Sequence, residues 1–442
     1  MNAKPAPARV PWTAPTAHQP VEAEIRLPGS KSMTARALVL SALSVGPSTV
    51  HAPLRARDTE LMAAGLRALG CKVSTMDDQR WEVRPRPLEG PAHVDCGLAG
   101  TLMRFLPPVA TVAHGDVTFD GDPYARKRPL GPLLKALREL GASIDASPAD
   151  GLPLTVHGAG RLRGGEVVID SSASSQFVSG LLLAGADYDE GVTVRHVGPP
   201  VPNTPHLRMT VQMLRSAGAA VDDSTHDVWR VAPGRLTGRA WQIEPDLSGA
   251  APFFAAALVT GGTVTLRGWP RTSVQPVDKV RQIFTKLGGK VALTEAGLTV
   301  TGTGTIHALN ASLADVAELT PVIAALATLA DGPSQLRGVG HIRHHETDRL
   351  GALGTQLAAL GADVSETADG LAIAPKPMSG TVFETYDDHR LAHAAAVIGL
   401  RVPEVVVSDV SCTAKTLPAF PRLWGELVAS GSANGNGREG RP

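Results

Sequence analysis

Leu66-Arg67-Ala68-Leu69-Gly70-Cys71-Lys72-Val73 reads as the end of a helix and the start of a strand. The leucines three apart mark one helical face. Gly70 supplies the residue after the helix that can turn left-handed, and Val73 suits a strand. The same arrangement returns at residues 137–144, 214–221, 284–291 and 357–364, around Gly141, Gly218, Gly288 and Gly361. The five glycines stand 70 to 77 residues apart. One more period lands near Leu423-Trp424-Gly425, which predicts six units with the last cut short.

A period near 70 exceeds that of the common solenoids, at roughly 20–50 residues. Each unit is instead a small α/β module of two helices and a few strands. Its first helix is apolar and Ala-rich, at 35–43, 100–112, 175–186, 249–259, 319–330 and 391–400. Helices apolar on all sides are buried. The second helix is amphipathic and ends at the repeated glycine. Six units in two sets of three predict an α+β protein of two similar domains.

Composition narrows the partners. The chain has 442 residues, with 42 Lys plus Arg against 42 Asp plus Glu, so its formal net charge is zero. That argues against nucleic acid or a membrane surface as the main partner, and any cationic site must be local. Aromatic residues are 4%, poor material for stacking bases. Cys71, Cys96 and Cys412 lie far apart. They form neither a metal spacing nor a disulfide framework, which points to a reducing cytoplasm. Residues 1–16 and 430–442 are expected to be disordered tails, and no apolar run reaches the ~18 residues of a membrane span.

Polar and charged residues gather where the apolar helices begin. Lys31 and Ser32 open the first, with Arg36 one turn on. Free N–H groups and the dipole at a helix start suit an anion. A nucleotide P-loop needs glycines where Ile25 and Ser30 stand, so ATP and GTP are not implied. Gly97 and Gly100 precede Arg104, and Arg128 is followed by Pro129. After Asp170, the four serines Ser171, Ser172, Ser174 and Ser175, with Gln176, open the third apolar helix and could surround a phosphate with neutral donors. Glu318 precedes the fifth. His341, His344 and His345 match no zinc spacing, so no metal is expected. Glu346, beside His345 and Arg349, suits a tuned acid or base. Asp388-His389-Arg390 opens the sixth apolar helix, and Lys415-Thr416 follows it.

Taken in order, Gly29-Ser30-Lys31-Ser32 with Arg36, Ala99-Gly100-Thr101 with Arg104, Arg128-Pro129, Ser174-Ser175-Gln176, Glu346-Thr347-Asp348-Arg349, Asp388-His389-Arg390 and Lys415-Thr416 resemble the motifs of the EPSP synthase family. The resemblance runs from about Ile25 to Leu427. It implies transfer of the enolpyruvyl group of phosphoenolpyruvate to the 5-hydroxyl of shikimate 3-phosphate. Phosphate is released by addition and elimination through a tetrahedral intermediate, with no cofactor. It implies two domains of three βαβαββ units each, an inside-out α/β barrel fold, closing on substrate about a hinge near Gly29 and Asp246. The expected domains are 30–246, and 17–29 with 247–429. A monomer is expected.

The resemblance also implies residue roles. Lys31 would touch both substrates. Ser32, Arg36, Ser174, Ser175, Gln176, Asn203, Glu318 and His345 would bind shikimate 3-phosphate. Gly100, Arg128, Gln176, Arg349, Arg390 and Lys415 would hold phosphoenolpyruvate, and Glu318 and Glu346, with Lys31, would be catalytic. Most relatives carry Asp at the place of Glu318, which leaves Asp315 as a rival, and Lys at the place of His345. Leu98 and Phe105 also depart from the pattern, beside the phosphoenolpyruvate pocket that the inhibitor glyphosate occupies. Two other readings share these residues. A sibling transferase acting on UDP-N-acetylglucosamine usually carries a cysteine in the loop corresponding to 121–128, and this loop has none. A non-catalytic anion-binding protein would have no use for Glu318 or Glu346.

Overall fold

The computed structural model describes residues 9–77 and 79–435, and these form two compact units. The N-side unit comprises Pro28–Asp246 with Thr272–Pro276, and the C-side unit takes the rest. Each has its own apolar core.

The N-side unit contains α1 (Lys31–Ala42), α2 (Arg57–Ala68), α3 (Gly100–Ala110), α4 (Gly131–Glu139), α5 (Ser175–Gly185) and α6 (Thr204–Ser216). One module runs from Ala92–Asp95 through α3, His114–Asp120 and α4 to the hairpin of Ser143–Ala146 and Leu154–Ala159. Its first two strands pair in parallel and the rest antiparallel. A second module repeats this order around α5 and α6. In the third four-stranded sheet of this unit the first place is filled by Ala240–Gln242, which pairs in parallel with Ser48–His51.

The C-side unit contains α7 (Ala251–Thr260), α8 (Val277–Lys286), α9 (Thr320–Thr328), α10 (Arg349–Ala359), α11 (His389–Gly399) and α12 (Phe420–Gly435). Here the N-terminal strand Glu22–Ile25 pairs in parallel with Thr263–Arg267 and completes that sheet. Five helix-to-strand turns therefore stand where the repeated glycines predict them. All five glycines have φ between 94° and 107°, the left-handed turn that follows α2, α4, α6, α8 and α10.

The odd-numbered helices are buried. In α7 every residue from Ala251 to Val259 is buried, and the alanines let helices approach closely. Helices α1, α3 and α5 pack on one another in one core, and α7, α9 and α11 in the other. The even-numbered helices are amphipathic. α4 buries Leu133, Leu134, Ala136 and Leu137 and leaves Lys135 and Glu139 outward. With flanks inside a core, a buried helix offers only its ends to ligands.

Three sequence expectations fail. Residues 9–16 are not a loose tail. Trp12–Thr13 pairs antiparallel with Val406–Val407, and the Trp12 ring meets Phe420 edge-on at 6.3 Å. One aromatic side chain in an aromatic cluster outweighs an Ala- and Pro-rich neighbourhood. The sixth unit does not turn at Gly425, because α12 runs through it to Gly435. A Cβ there would meet nothing within 4 Å, so no close approach demands a glycine. The expected tail over 430–442 therefore begins as helix, and its residues 436–442 lie outside the described residues.

Gly180 marks the closest crossing of α5 and α3, since a Cβ on it would sit 2.3 Å from the Arg104 carbonyl oxygen. Gly180→Ala is expected to lose about 1–3 kcal/mol of stability in urea unfolding. An unchanged midpoint would contradict this packing.

Candidate active site

In the N-side unit most of the predicted residues lie at the starts of buried α1, α3 and α5, with Arg128 in the loop before α4 and Asn203 just before α6. Ser30 caps α1, accepting from the Met33 N–H at 3.4 Å, so Lys31 is the first helical residue. The Lys31 ammonium donates to Asp58 Oδ2 at 3.2 Å. Asp58 is buried in the first turn of α2, and the sequence analysis missed it. Its only local signal is an acid at a helix start, which any cap would explain.

Arg36 is buried one turn into α1. Its Nε donates to Thr210 Oγ1 at 2.7 Å, Nη1 to the Ser32 carbonyl at 2.9 Å, and Nη2 to Ser179 Oγ at 3.3 Å and the His206 carbonyl at 3.2 Å. The guanidinium also stands over the Phe105 ring at 5.1 Å. Every one of these partners is neutral. Burial pulls the Arg36 pKa down to about 9. Such a cation favours an arriving anion that restores its charge balance.

Ser174 caps α5 by accepting from the Gln176 N–H at 3.2 Å, and Ser175 is buried. Gln176 Oε1 accepts from Arg104 Nη1 at 2.9 Å, tying the start of α5 to α3. Asn203 holds a left-handed backbone, φ 51°, just before α6. Arg128 is buried with Nη1 on the Leu98 carbonyl at 3.1 Å, while its Nε–H has no hydrogen-bond partner among the described residues. Gly100 gives that side chain room, since a Cβ would lie 2.8 Å from Arg128 Nη2.

The C-side unit brings its predicted residues into direct contact. Asp348 caps α10, which makes Arg349 its first residue. Asp388 caps α11, accepting from the Arg390 N–H at 2.8 Å. Between these helix starts the Arg349 guanidinium is completely enclosed. Its Nε donates to Asp388 Oδ2 at 2.6 Å, and Nη2 to Asp388 Oδ1 at 3.3 Å and Glu346 Oε2 at 2.7 Å. Nη1 donates to Glu318 Oε2 and His345 Nδ1, both at 2.9 Å. Lys415 donates to Glu346 Oε1 at 2.6 Å. Arg390 donates to the Ser248 carbonyl and hydroxyl at 2.8 and 2.6 Å, with Nε 3.6 Å from Glu318 Oε2.

This cluster separates the two candidate acids. Glu318 reaches Arg349, whereas Asp315, one turn earlier in the same short 3-10 helix, is exposed. Burial alone would raise the Glu318 carboxyl, but the Arg349 guanidinium, with Arg390 close by, holds it well below the usual carboxylate range. His345 Nδ1 faces an arginine N–H that can only donate, so this nitrogen accepts and the ring is neutral. Burial pushes His345 well below the ordinary histidine value, in the same direction. Asp388 is the second residue whose part the sequence did not reveal, because its bidentate partner lies 39 positions away. Three carboxylates meet three cations here, with no group of three metal-ligating side chains among the described residues.

Helix starts that carry cations and hydroxyls in one unit, and paired carboxylates in the other, stand on the enolpyruvyl transferase fold. Two solved structures of EPSP synthase from Acinetobacter baumannii share the fold. One is 24% identical with a TM-score of 0.78, covering 94% of this chain and 98% of its own. The other is 23% identical with a TM-score of 0.77, covering 95% and 98%. The family model for EPSP synthase (3-phosphoshikimate 1-carboxyvinyltransferase) matches residues 15–424, and the chain belongs to that family. Its reaction is transfer of the enolpyruvyl group of phosphoenolpyruvate to shikimate 3-phosphate, in the route to aromatic amino acids. Among the described residues no helix is long and apolar enough to cross a membrane.

The buried histidines set an acid limit on stability. Burial, opposed by Glu318 and aided by Arg349, lowers His341 to about 4. Burial also holds His393 well below its ordinary value, and neither ring nitrogen has a hydrogen-bond partner among the described residues. The unfolded chain takes up these protons below about pH 6.5 while the folded one refuses them, so stability falls as pH drops through that value. From about pH 7 to about pH 5, His341 alone is expected to cost on the order of 1–2 kcal/mol in urea unfolding. His341→Asn should flatten the slope, and a protein equally stable at both pH values would contradict the assignment.

Proposed function

We propose that Glu318 and Glu346 carry the two proton transfers of this reaction, and that the buried cations of both units bind its two anionic substrates. The observation that carries the reading is that Arg349 bridges Glu318 and Glu346 while Lys415 grips the far oxygen of Glu346. Forming the tetrahedral intermediate takes one proton off the 5-hydroxyl and puts one onto the methylene carbon. Glu318, ionised and partly open to solvent, suits the first task. Glu346, bonded to the protonated Lys415 amine, suits the second, with Lys415 passing the proton. Elimination then takes a proton back off the methyl carbon and gives one to the departing phosphate, while the 5-oxygen keeps its new bond to carbon.

Arg36 with Ser32, and Ser174 and Ser175 with Gln176, Asn203 and Lys31, would receive the carboxylate, ring and phosphate of shikimate 3-phosphate. Neutral donors at the start of α5 suit a phosphate, and Arg36 suits a carboxylate because its present partners are all neutral. Arg128 beside Gly100, with Arg349, Arg390 and Lys415, would hold phosphoenolpyruvate. An anion-binding protein has no need for two carboxylates set beside these cations, which costs anion affinity. The free Cys71, Cys96 and Cys412 fit a reducing cytoplasm, and the reading takes the enzyme as a monomer.

Glu346→Gln tests the reading. The kcat for phosphate release should fall by about 10²-fold or more, with the KM of each substrate changing only a few-fold. A variant with undiminished kcat would contradict the acid role.

A further inference from the structure

All five N–H groups of Arg349 are engaged, so this guanidinium has none to offer an incoming ligand. Its partners are of two kinds. The side chains of Asp388 and Glu346 are 0% and 8% exposed, whereas those of Glu318 and His345 are 27% and 17% exposed. The accessible partners share one nitrogen, Nη1. A ligand bonding to Arg349 must therefore replace one of these two. His345 is neutral, so losing it to an anion would add a negative charge beside Glu318 and Glu346. Exchanging Glu318 for another carboxylate or phosphate leaves the charge on Arg349 balanced and its N–H bonded.

We propose that Glu318 is stored on Arg349 and is released when an anionic group of phosphoenolpyruvate takes its place at Nη1. This rests on the reading above, in which Glu318 is the base and Arg349 meets phosphoenolpyruvate. The bonds to Asp388 and Glu346 stay, so the guanidinium keeps its orientation through the exchange. The freed Glu318 carboxylate gives up its hydrogen bond to Arg349 and gains a lone pair for the acceptor hydroxyl. The base thus becomes available only once the enolpyruvyl donor has arrived.

Exchange predicts an effect opposite to that of a lost binding contact. Glu318→Gln removes a charged competitor, and phosphoenolpyruvate titrated calorimetrically into the otherwise unchanged protein should bind roughly tenfold more tightly than to wild type. Asp388→Asn removes an equal charge from the buried side of the same guanidinium, and asparagine still caps α11. It should bind phosphoenolpyruvate no more tightly than wild type. If Asp388→Asn does not fold, Glu346→Gln serves as the control for a buried charge. Equal tightening in Glu318→Gln and the control would reduce the effect to a general field and overturn the exchange. No tightening in Glu318→Gln would overturn it as well. Wild-type turnover with both substrates, measured in parallel, separates these failures from failure of the reading beneath them.

Discussion

Arg349 carries one positive charge into a place without water, and the chemistry of the C-side unit is arranged around it. A buried guanidinium is tolerated only when its charge and all its N–H groups are answered. Here Glu318, Glu346, Asp388 and His345 answer them. Leaving one of these partners out would leave a buried N–H unanswered, at a cost of about 1–3 kcal/mol. The cluster therefore holds itself together, and in doing so it fixes two carboxylates on neighbouring nitrogens. Asp388 fastens Arg349 and caps α11 with the same oxygen, so helix start and ion-pair cluster are set by one side chain.

The N-side unit solves a different problem. Arg36 is buried among hydroxyls and carbonyls, and the bonds of Arg128 run to a carbonyl. A cation solvated by neutral dipoles is held in place without being neutralised, which suits a ligand that brings its own negative charge. Lys31 is the exception, tied to Asp58. In both units many of the groups sit at helix starts. Burial of the helix flanks follows from their Ala-rich sequences, and it leaves the ends as the only surface that can meet a ligand.

Much of the architecture is legible because it repeats. A glycine after a Leu-rich turn, followed by a β-branched residue, has one local reading, and five copies placed the helix ends and hairpins. The misreadings came where local composition opposed a distant contact. Trp12 lies in a proline-rich stretch yet pairs with a strand nearly 400 residues on. Gly425 looks like the other repeat glycines but sits mid-helix, where nothing crowds it. The site shows the same division. Glu318, Glu346, Arg349 and Lys415 stand out by type and motif. Asp58 and Asp388 look like ordinary helix-start acids, and only the fold shows that one holds Lys31 and the other Arg349.

The central claim is that these two sets of residues serve one transfer between two anions. It is tested most directly by mixing the protein with phosphoenolpyruvate and shikimate 3-phosphate and following phosphate. The account predicts release only when both are present. Release with UDP-N-acetylglucosamine in place of shikimate 3-phosphate, or none with the correct pair, would contradict it.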